Sequence, residues 1–377
     1  MRPLRIALVH SFYRSAQPSG ENEVVRDQAA ALAAAGHEVR LVAEHSDRRA
    51  GARLYPLQAA VTVASGRGPS PVAELREFRP DVVHVHNLFP NFGTSWLRAW
   101  TGPLVATLHN FRPLCAGAGL HRDGRDCTLC PDGDRWAGLR HACYRGSRAA
   151  TLPLSLAGRH GAAGHPLLAR ADRLVVLSEP SRRMYVRAGV DEQRLAVMPN
   201  FVPEVQGSGR GDGPWLYAGR LSAEKGIVEL LRAWPKTVPL DVAGSGELEA
   251  ECRALAPGSV RFLGALDRDE LRRRLPHWRG LVFPSTCREG GPTVYLEALA
   301  AGLPVLALEG SSVPEAVRAD GTGWVASWER PLRPVLEQAE RELPGLRTHC
   351  KAVFARRYGE TRWLREVREV YAAAGSR

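Results

Sequence analysis

A chain of 377 residues with 44% hydrophobic and 24% charged residues exceeds what one core usually supports, so two globular α/β domains are expected rather than a disordered or fibrous chain. Its net charge is +11, yet only Lys225, Lys236 and Lys351 of the 51 basic residues are lysines; coding composition explains that bias. The arginines are scattered rather than clustered with aromatics, which speaks against a nucleic-acid partner.

The start, Met1-Arg2-Pro3-Leu4-Arg5 followed by Ile6-Ala7-Leu8-Val9, is too brief for a secretory signal. No apolar run reaches the roughly 18 to 20 residues of a membrane span. A cytoplasmic location without membrane association is expected. Short apolar segments then recur at Arg5–His10, Val39–Ala43, Asp81–His86, Leu104–His109, Arg173–Leu177 and Leu195–Met198. With helical stretches between them, such as Glu23–Ala35 closing at Gly36, they read as βαβ units. Gln206–Gly213 is Gly/Ser-rich and reads as a linker. The pattern restarts with strands at Trp215–Ala218, Leu240–Ala243, Val260–Leu263, Leu281–Pro284 and Pro304–Leu308, and helices at Val228–Trp234 and Thr293–Ala301. Arg347–Ala374 is helical by composition and carries Tyr358, Trp363, Val367, Val370 and Tyr371 at helical spacing.

Two segments carry candidate chemistry. In Tyr217-Ala218-Gly219-Arg220-Leu221-Ser222-Ala223-Glu224-Lys225-Gly226 a strand turns at glycine into a helix near Ile227. Free N–H groups at a helix start attract phosphate, and Arg220 and Lys225 add two charges. A diphosphate fits that geometry; a solvated helix start is the plainer alternative. In Arg288-Glu289-Gly290-Gly291-Pro292-Thr293-Val294-Tyr295-Leu296-Glu297 a glycine-rich loop enters a helix. Glu289 and Glu297, about two turns apart, can both face the crevice at the strands' C-terminal ends.

The succession Gly-Arg-Leu-x3-Lys-Gly, Gly-Ser-Gly-Glu at 244–247, Phe-Pro-Ser at 283–285 and Glu-x7-Glu resembles the retaining glycosyltransferases of family 4. The resemblance extends to Pro18-Ser19-Gly20-Glu21, Val83-His84-Val85-His86-Asn87, Thr107-Leu108-His109-Asn110 and Met198-Pro199-Asn200. It implies a GT-B fold of two Rossmann-like domains facing across a cleft. The domains would be 1–203, with a cysteine-rich insert at 111–147, and 204–355. A last helix, 356–377, would cross back onto the first domain. It implies a UDP-sugar as co-substrate and no catalytic metal; the chain shows no Asp-x-Asp pair near these segments. Arg220 and Lys225 would hold the donor diphosphate, Glu297 the ribose and Glu289 the transferred hexose. Gly20, Gly219, Gly244, Gly246, Gly290, Gly291, Pro292 and Thr293 would line the donor. His109 matches the family histidine that reaches the donor sugar, a buried structural histidine being the alternative. Ser19 stands where many members have a second glycine.

The acceptor would be a small molecule bound by the first domain, near Glu21, Glu23, Asn87 and His109. The segment His10–Val25 also resembles aminocyclitol glycosyltransferases of aminoglycoside antibiotic biosynthesis, which join glucose or N-acetylglucosamine to 2-deoxystreptamine. Alternatives are a lipid-linked or polysaccharide acceptor, for which Trp96, Leu97, Arg98 and Trp100 are the expected exposed strip, and an inactive nucleotide-binding protein of the same fold. Cys115, Cys127, Cys130 and Cys143 space as a structural zinc site; free thiols and disulfides are the alternatives. Cys252, Cys287 and Cys350 read as isolated structural residues.

Overall fold

The structure, a computed structural model, describes residues 2–13, 19–47, 53–205 and 211–375. Pro18, part of the segment His10–Val25 and positions 206–210 of the expected linker lie outside the described residues. The chain divides into two compact units, Met1–Leu120 with Cys127–Asn200 and Glu360–Arg377, and His121–Asp126 with Phe201–Gly359.

The first unit is built on β1 (Arg5–Phe12), β2 (Glu38–His45), β3 (Val82–Asn87) and β4 (Leu104–Leu108). The hairpin β5 (His121–Arg122) and β6 (Arg125–Asp126) follows and is counted with the second unit. Strands β7 (Arg173–Val176) and β8 (Leu195–Val197) complete the sheet, ordered β2-β1-β3-β4-β7-β8 with every pair parallel. Parallel strands covered on both faces read as continuous apolar runs. Accordingly Ile6, Ala7, Leu8 and Val9 of β1 and Leu104, Val105 and Ala106 of β4 are fully buried.

The helix Gly20–Ala34 begins three residues before the expected start. Glu21 and Glu23 therefore lie in a first helical turn, not in a loop. The reason is its buried face, Asn22, Val24, Val25, Gln28, Ala31 and Leu32, which needs that turn to keep Asn22 in register with the rest.

The second unit repeats the plan with β9 (Trp215–Ala218), β10 (Leu240–Ala243), β11 (Val260–Gly264), β12 (Leu281–Phe283), β13 (Val305–Leu308) and β14 (Gly323–Ala326). Their order is β11-β10-β9-β12-β13-β14, again all parallel. In units of their own sequence this is 3-2-1-4-5-6, the dinucleotide-binding order. The short β14 was not foreseen. Gly323 admits it, since a Cβ there would strike the backbone of Val305 on β13.

The expected single C-terminal helix is two. Arg333–Arg357 stays with the second unit, because Tyr358 donates to Asp320 Oδ2 at 2.6 Å and Arg357 pairs with Asp320. After Gly359 the chain re-forms as Glu360–Gly375, which belongs to the first unit. There Trp363, Val367, Val370 and Tyr371 are buried, and Arg362 donates to the Pro199 carbonyl at 2.7 Å.

The strip Trp96-Leu97-Arg98-Trp100 exposes only Arg98 fully, with Trp100 half-buried. Trp96 and Leu97 are buried in the core, where the turn Ser95–Arg98 packs them. The exposed aliphatics among this unit's described residues are Leu41, Leu54, Leu57, Val61, Leu129 and Leu152, of which Leu54, Leu57, Val61 and Leu152 lie on or beside the helices Tyr55–Ser65 and Arg148–Gly158. No helix among the described residues is long and apolar enough to cross a membrane.

Candidate functional site

In an open parallel sheet the ligand crevice opens where strand order reverses, beyond the strands' C-terminal ends. In the second unit that point lies between β9 and β12. The loop after β9 carries Gly219 to Gly226 and the loop after β12 carries Ser285 to Pro292. Topology thus brings together what sequence separates: Lys225 Nζ lies 2.7 Å from Glu289 Oε1, with side-chain exposures of 22% and 15%. Burial works against the Lys225 ammonium, but the charge and hydrogen bond of Glu289, with Cys287, outweigh it and raise its pKa above the ordinary lysine value. Lys225 is a fixed cation in a half-buried place.

Glycines make the approach of these loops possible. A Cβ on Gly244 would strike the Gly219 carbonyl oxygen, and one on Gly246 the Leu221 carbonyl. Gly226, at φ +65°, faces the Pro284 carbonyl in the same way. Arg220 is not on the Lys225 pair: its side chain is 64% exposed and bonds Glu224 at 2.8 Å. The turn Ala223–Lys225 also uses the Lys225 and Gly226 N–H groups, which donate to Ser222 and Ala223 carbonyls at 3.0 and 3.1 Å.

Glu297 sits in the helix Thr293–Ala300, as expected, but does not face the crevice openly. It is buried, with Arg268 Nε at 3.2 Å and Arg272 Nε at 3.3 Å from Oε1. Pro292 is the N-cap of that helix, Thr293 its first residue, and Gly290 is buried beside half-buried Gly291. The Glu289 carbonyl accepts from Ser312 Oγ at 2.6 Å. An unforeseen contact also fixes this loop: both Arg288 Nε and Nη2 donate to Asp126 Oδ2 of β6, at 3.0 and 2.7 Å.

In the first unit a cavity of about 120 Å³ is walled by His86, Asn87, His109, Asn110, Arg112 and His165, the rest of its wall being largely apolar. Of the expected acceptor residues, Asn87 and His109 line it; Glu21 and Glu23 do not. Glu23 pairs with Arg26. Glu21 lies behind the wall, its Oε2 accepting from Asn110 Nδ2 at 3.4 Å and its Oε1 buried, with no hydrogen bond within range among the described residues. Burial pushes Glu21 up to about 7, against the opposing pull of Arg112, Asn87 and Asn110. Gly20 precedes it at the helix start. Asn87 donates to Tyr13 Oη at 2.9 Å, tying the C-terminal end of β3 to the residue after β1.

Beside the cavity lies an array of buried histidines. His84 bonds Tyr371 Oη at 2.8 Å and Thr107 Oγ1 at 2.7 Å, His10 bonds Asn22, and His86 bonds His109 at 3.0 Å. Burial lowers them all, His10 to about 4 and His84 and His109 to about 3. Period-two alternation places His84 and His86 on one face of a strand, a signal present in the sequence.

All four insert cysteines are half-buried, and no disulfide joins them. A Cβ on Gly117 would lie 3.8 Å from both Cys115 Sγ and Cys143 Cβ, and one on Gly138 would lie 3.9 Å from Cys130 Sγ. Burial, then the neighbouring Cys115, Cys143 and Cys127, push the Cys130 thiol up to about 11. Yet no three His, Cys, Asp or Glu side chains among the described residues stand close enough together to share an ion. The zinc spacing is met in sequence, not in distance.

Residues 18–205 match the model of Glycosyltransferase Family 4, and residues 214–332 that of Glycosyl transferases group 1. Together the two models span most of the chain, which belongs to the glycosyltransferases. Among curated relatives it is 30% identical to the amylovoran biosynthesis glycosyltransferase AmsK of Erwinia amylovora, over 29% of this chain and 31% of that protein. It is 24% identical to the sulfoquinovosyl transferase SQD2 of Arabidopsis thaliana, over 85% of this chain and 63% of that one. The first of these matches thus spans about a third of the relative's length. A solved structure, Anabaena HepE in complex with UDP, superposes with a TM-score of 0.62 at 16% identity, covering 98% of this chain and 100% of that one. The GT-B likeness accounts for the two Rossmann-like sheets and their parallel order.

Proposed function

We propose that this GT-B protein is a retaining, cytoplasmic hexosyltransferase that moves glucose or N-acetylglucosamine from a UDP-sugar to a hydroxyl of a small acceptor. The observation that carries the reading is the Lys225–Glu289 pair at the strand-order reversal of the second sheet. The binding of UDP by HepE supports the choice of base. The donor diphosphate meets Lys225, with Arg220 swinging from Glu224. Lys225 stabilises charge on the departing diphosphate by about 3 kcal/mol, as a preorganised donor does, and Arg220, exposed and first bound to Glu224, contributes less. Glu289 keeps Lys225 in place and offers its other oxygen to a hexose hydroxyl; Gly219, Gly244, Gly246, Gly290, Gly291, Pro292 and Thr293 shape the donor side. Glu297 accepts from ribose hydroxyls. Gly20 lets backbone approach the donor. Attack comes from the leaving-group face, which preserves configuration, and no catalytic metal takes part.

The acceptor lies in the first-unit cavity against Asn87 and His109, with Glu21 acting through Asn110 and Glu23 at the helix start; 2-deoxystreptamine is the first candidate. A lipid-linked acceptor is the second reading, favoured by the exposed Leu54, Leu57, Val61 and Leu152 around the helices whose inner faces border the cavity. Zinc in the insert would be structural, drawing Cys115, Cys127, Cys130 and Cys143 together. The test is incubation with both UDP-sugars and either 2-deoxystreptamine or a polyprenyl phosphate, with products read by mass. Transfer to neither acceptor, together with UDP binding unaffected by Lys225→Ala, overturns the reading. Binding without any turnover favours an inactive nucleotide-binding protein.

A further inference from the structure

His109 has a protein partner on one side only. Its Nε2 lies 3.0 Å from His86 Nδ1, the rings stacked at 5.3 Å, and no partner for its Nδ1 is found among the described residues. It lines the cavity, so that nitrogen is the one left for a ligand. A neutral imidazole has one proton for two nitrogens, so the bond to His86 decides whether His109 Nδ1 donates or accepts.

Two arrangements satisfy the 3.0 Å contact. If His109 donates, the remaining proton of His86 sits on Nε2, which is buried and has no partner among the described residues. If His86 donates, its Nε2 is a bare lone pair. Orphaned buried N–H groups are the rarer defect in folded proteins. His10, in the same array, shows which one this site tolerates. Asn22 Oδ1 receives the Tyr13 N–H at 3.4 Å, which fixes the amide's orientation, and stands 3.0 Å from His10 Nε2. His10 therefore carries its proton on Nε2, and its buried Nδ1, without a partner among the described residues, is a lone pair.

We infer that His86 is a positioning residue: it donates through Nδ1 to His109 Nε2 and so fixes His109 as a ring that presents an N–H donor to the cavity. The group that meets His109 is then an oxygen with a free lone pair, such as a sugar hydroxyl or ring oxygen. His109 cannot serve there as a base, since its imine nitrogen is taken. Neutrality of both rings agrees with this, as burial holds His109 at about 3 and His86 well below the ordinary value.

The tautomer stands independently of the proposed reaction; its meeting with a substrate oxygen rests on that reaction. The full chain, labelled with 15N-histidine, is therefore measured by long-range proton–nitrogen spectra near neutral pH, with His109 assigned by its loss in His109→Gln. The expected pattern is a protonated Nδ1 and a bare Nε2. His86→Asn sets an amide N–H near the place of Nδ1 and keeps that pattern; His86→Leu releases His109 to a mixture of tautomers. Where transfer is measurable, kcat/KM falls about tenfold in His86→Leu, the worth of one good hydrogen bond, and recovers in His86→Asn. A proton on His109 Nε2 in the unaltered chain overturns the inference, as does an unchanged His109 pattern in a folded His86→Leu. Should His86→Leu not fold, the unaltered chain and His86→Asn decide alone. Absent transfer with the expected tautomer sinks the reaction and leaves the His86 inference standing.

Discussion

Replacing Glu21 with Gln changes how stability depends on pH, by an amount the structure sets. Burial raises the Glu21 carboxyl from 4.5 to about 7. Between those values the folded chain keeps a proton that the unfolded chain releases, so the stability this group contributes is whole below pH 4.5 and is lost as pH rises through about 7. A rise of that size corresponds to about 3 kcal/mol, of which about 2.5 kcal/mol disappears between pH 5 and 8. Glutamine has no such proton. The histidines His10, His84 and His109, lowered to about 4, 3 and 3, act in the opposite direction: each costs stability as pH falls below about 6.5. They are common to both proteins and cancel in the difference. Urea unfolding of the two chains at pH 5, 6, 7 and 8, with amide exchange in β4 reporting the first unit, reads that difference. The Gln variant should gain on the parent by about 2.5 kcal/mol across the range. Curves that stay parallel refute a buried, unsolvated carboxyl at this position.

Lys225→Ala should lower turnover about a hundredfold, by loss of one preorganised donor, and Arg220→Ala should cost less, because its exposed side chain must first leave Glu224; steady-state kinetics with each donor compares them. Gly244→Ala should destabilise the second unit by about 2 kcal/mol or more, since the added methyl strikes the Gly219 carbonyl at φ +149°. A thermal midpoint equal to the parent's would refute that close approach. If the insert holds zinc, the purified chain should contain one ion per molecule and lose thermal stability when it is stripped with a mercurial. Four rapidly titrating thiols and no metal after refolding with zinc would establish free cysteines.

The central strands were legible because each, buried on both faces, appears as a largely apolar run such as Ile6 to Val9. β14 was not, since Gly323 to Ala326 offers four residues with a glycine at one end. The C-terminal break was hidden for another reason: Tyr358 continues the apolar series of Trp363 and Val367, and its bond to Asp320 and its ring against Tyr295 place it with the second unit. At the site, Lys225 and Glu289 were each readable as candidates, whereas their 2.7 Å contact follows from strand order, which no local pattern encodes. In the sequence Glu21 reads only as a candidate acceptor-binding carboxylate. Its burial depends on Asn110 and Arg112, which arrive from beyond β4.

The Lys225–Glu289 contact at the proposed donor site also limits how that site can be dissected. Glu289 holds Lys225 through the same carboxylate that is proposed to receive a hexose hydroxyl, so Glu289→Gln removes a charge from the cation as well as a hydrogen-bond acceptor from the sugar. A loss of transfer with unchanged UDP affinity in that variant would assign Glu289 to the sugar, because a lysine set loose from its partner would weaken the diphosphate too. A parallel fall in both would assign it to Lys225. Ser312 makes the distinction clean: its hydroxyl holds the Glu289 backbone carbonyl at 2.6 Å and leaves the carboxylate alone, so the loop keeps its anchor in either case.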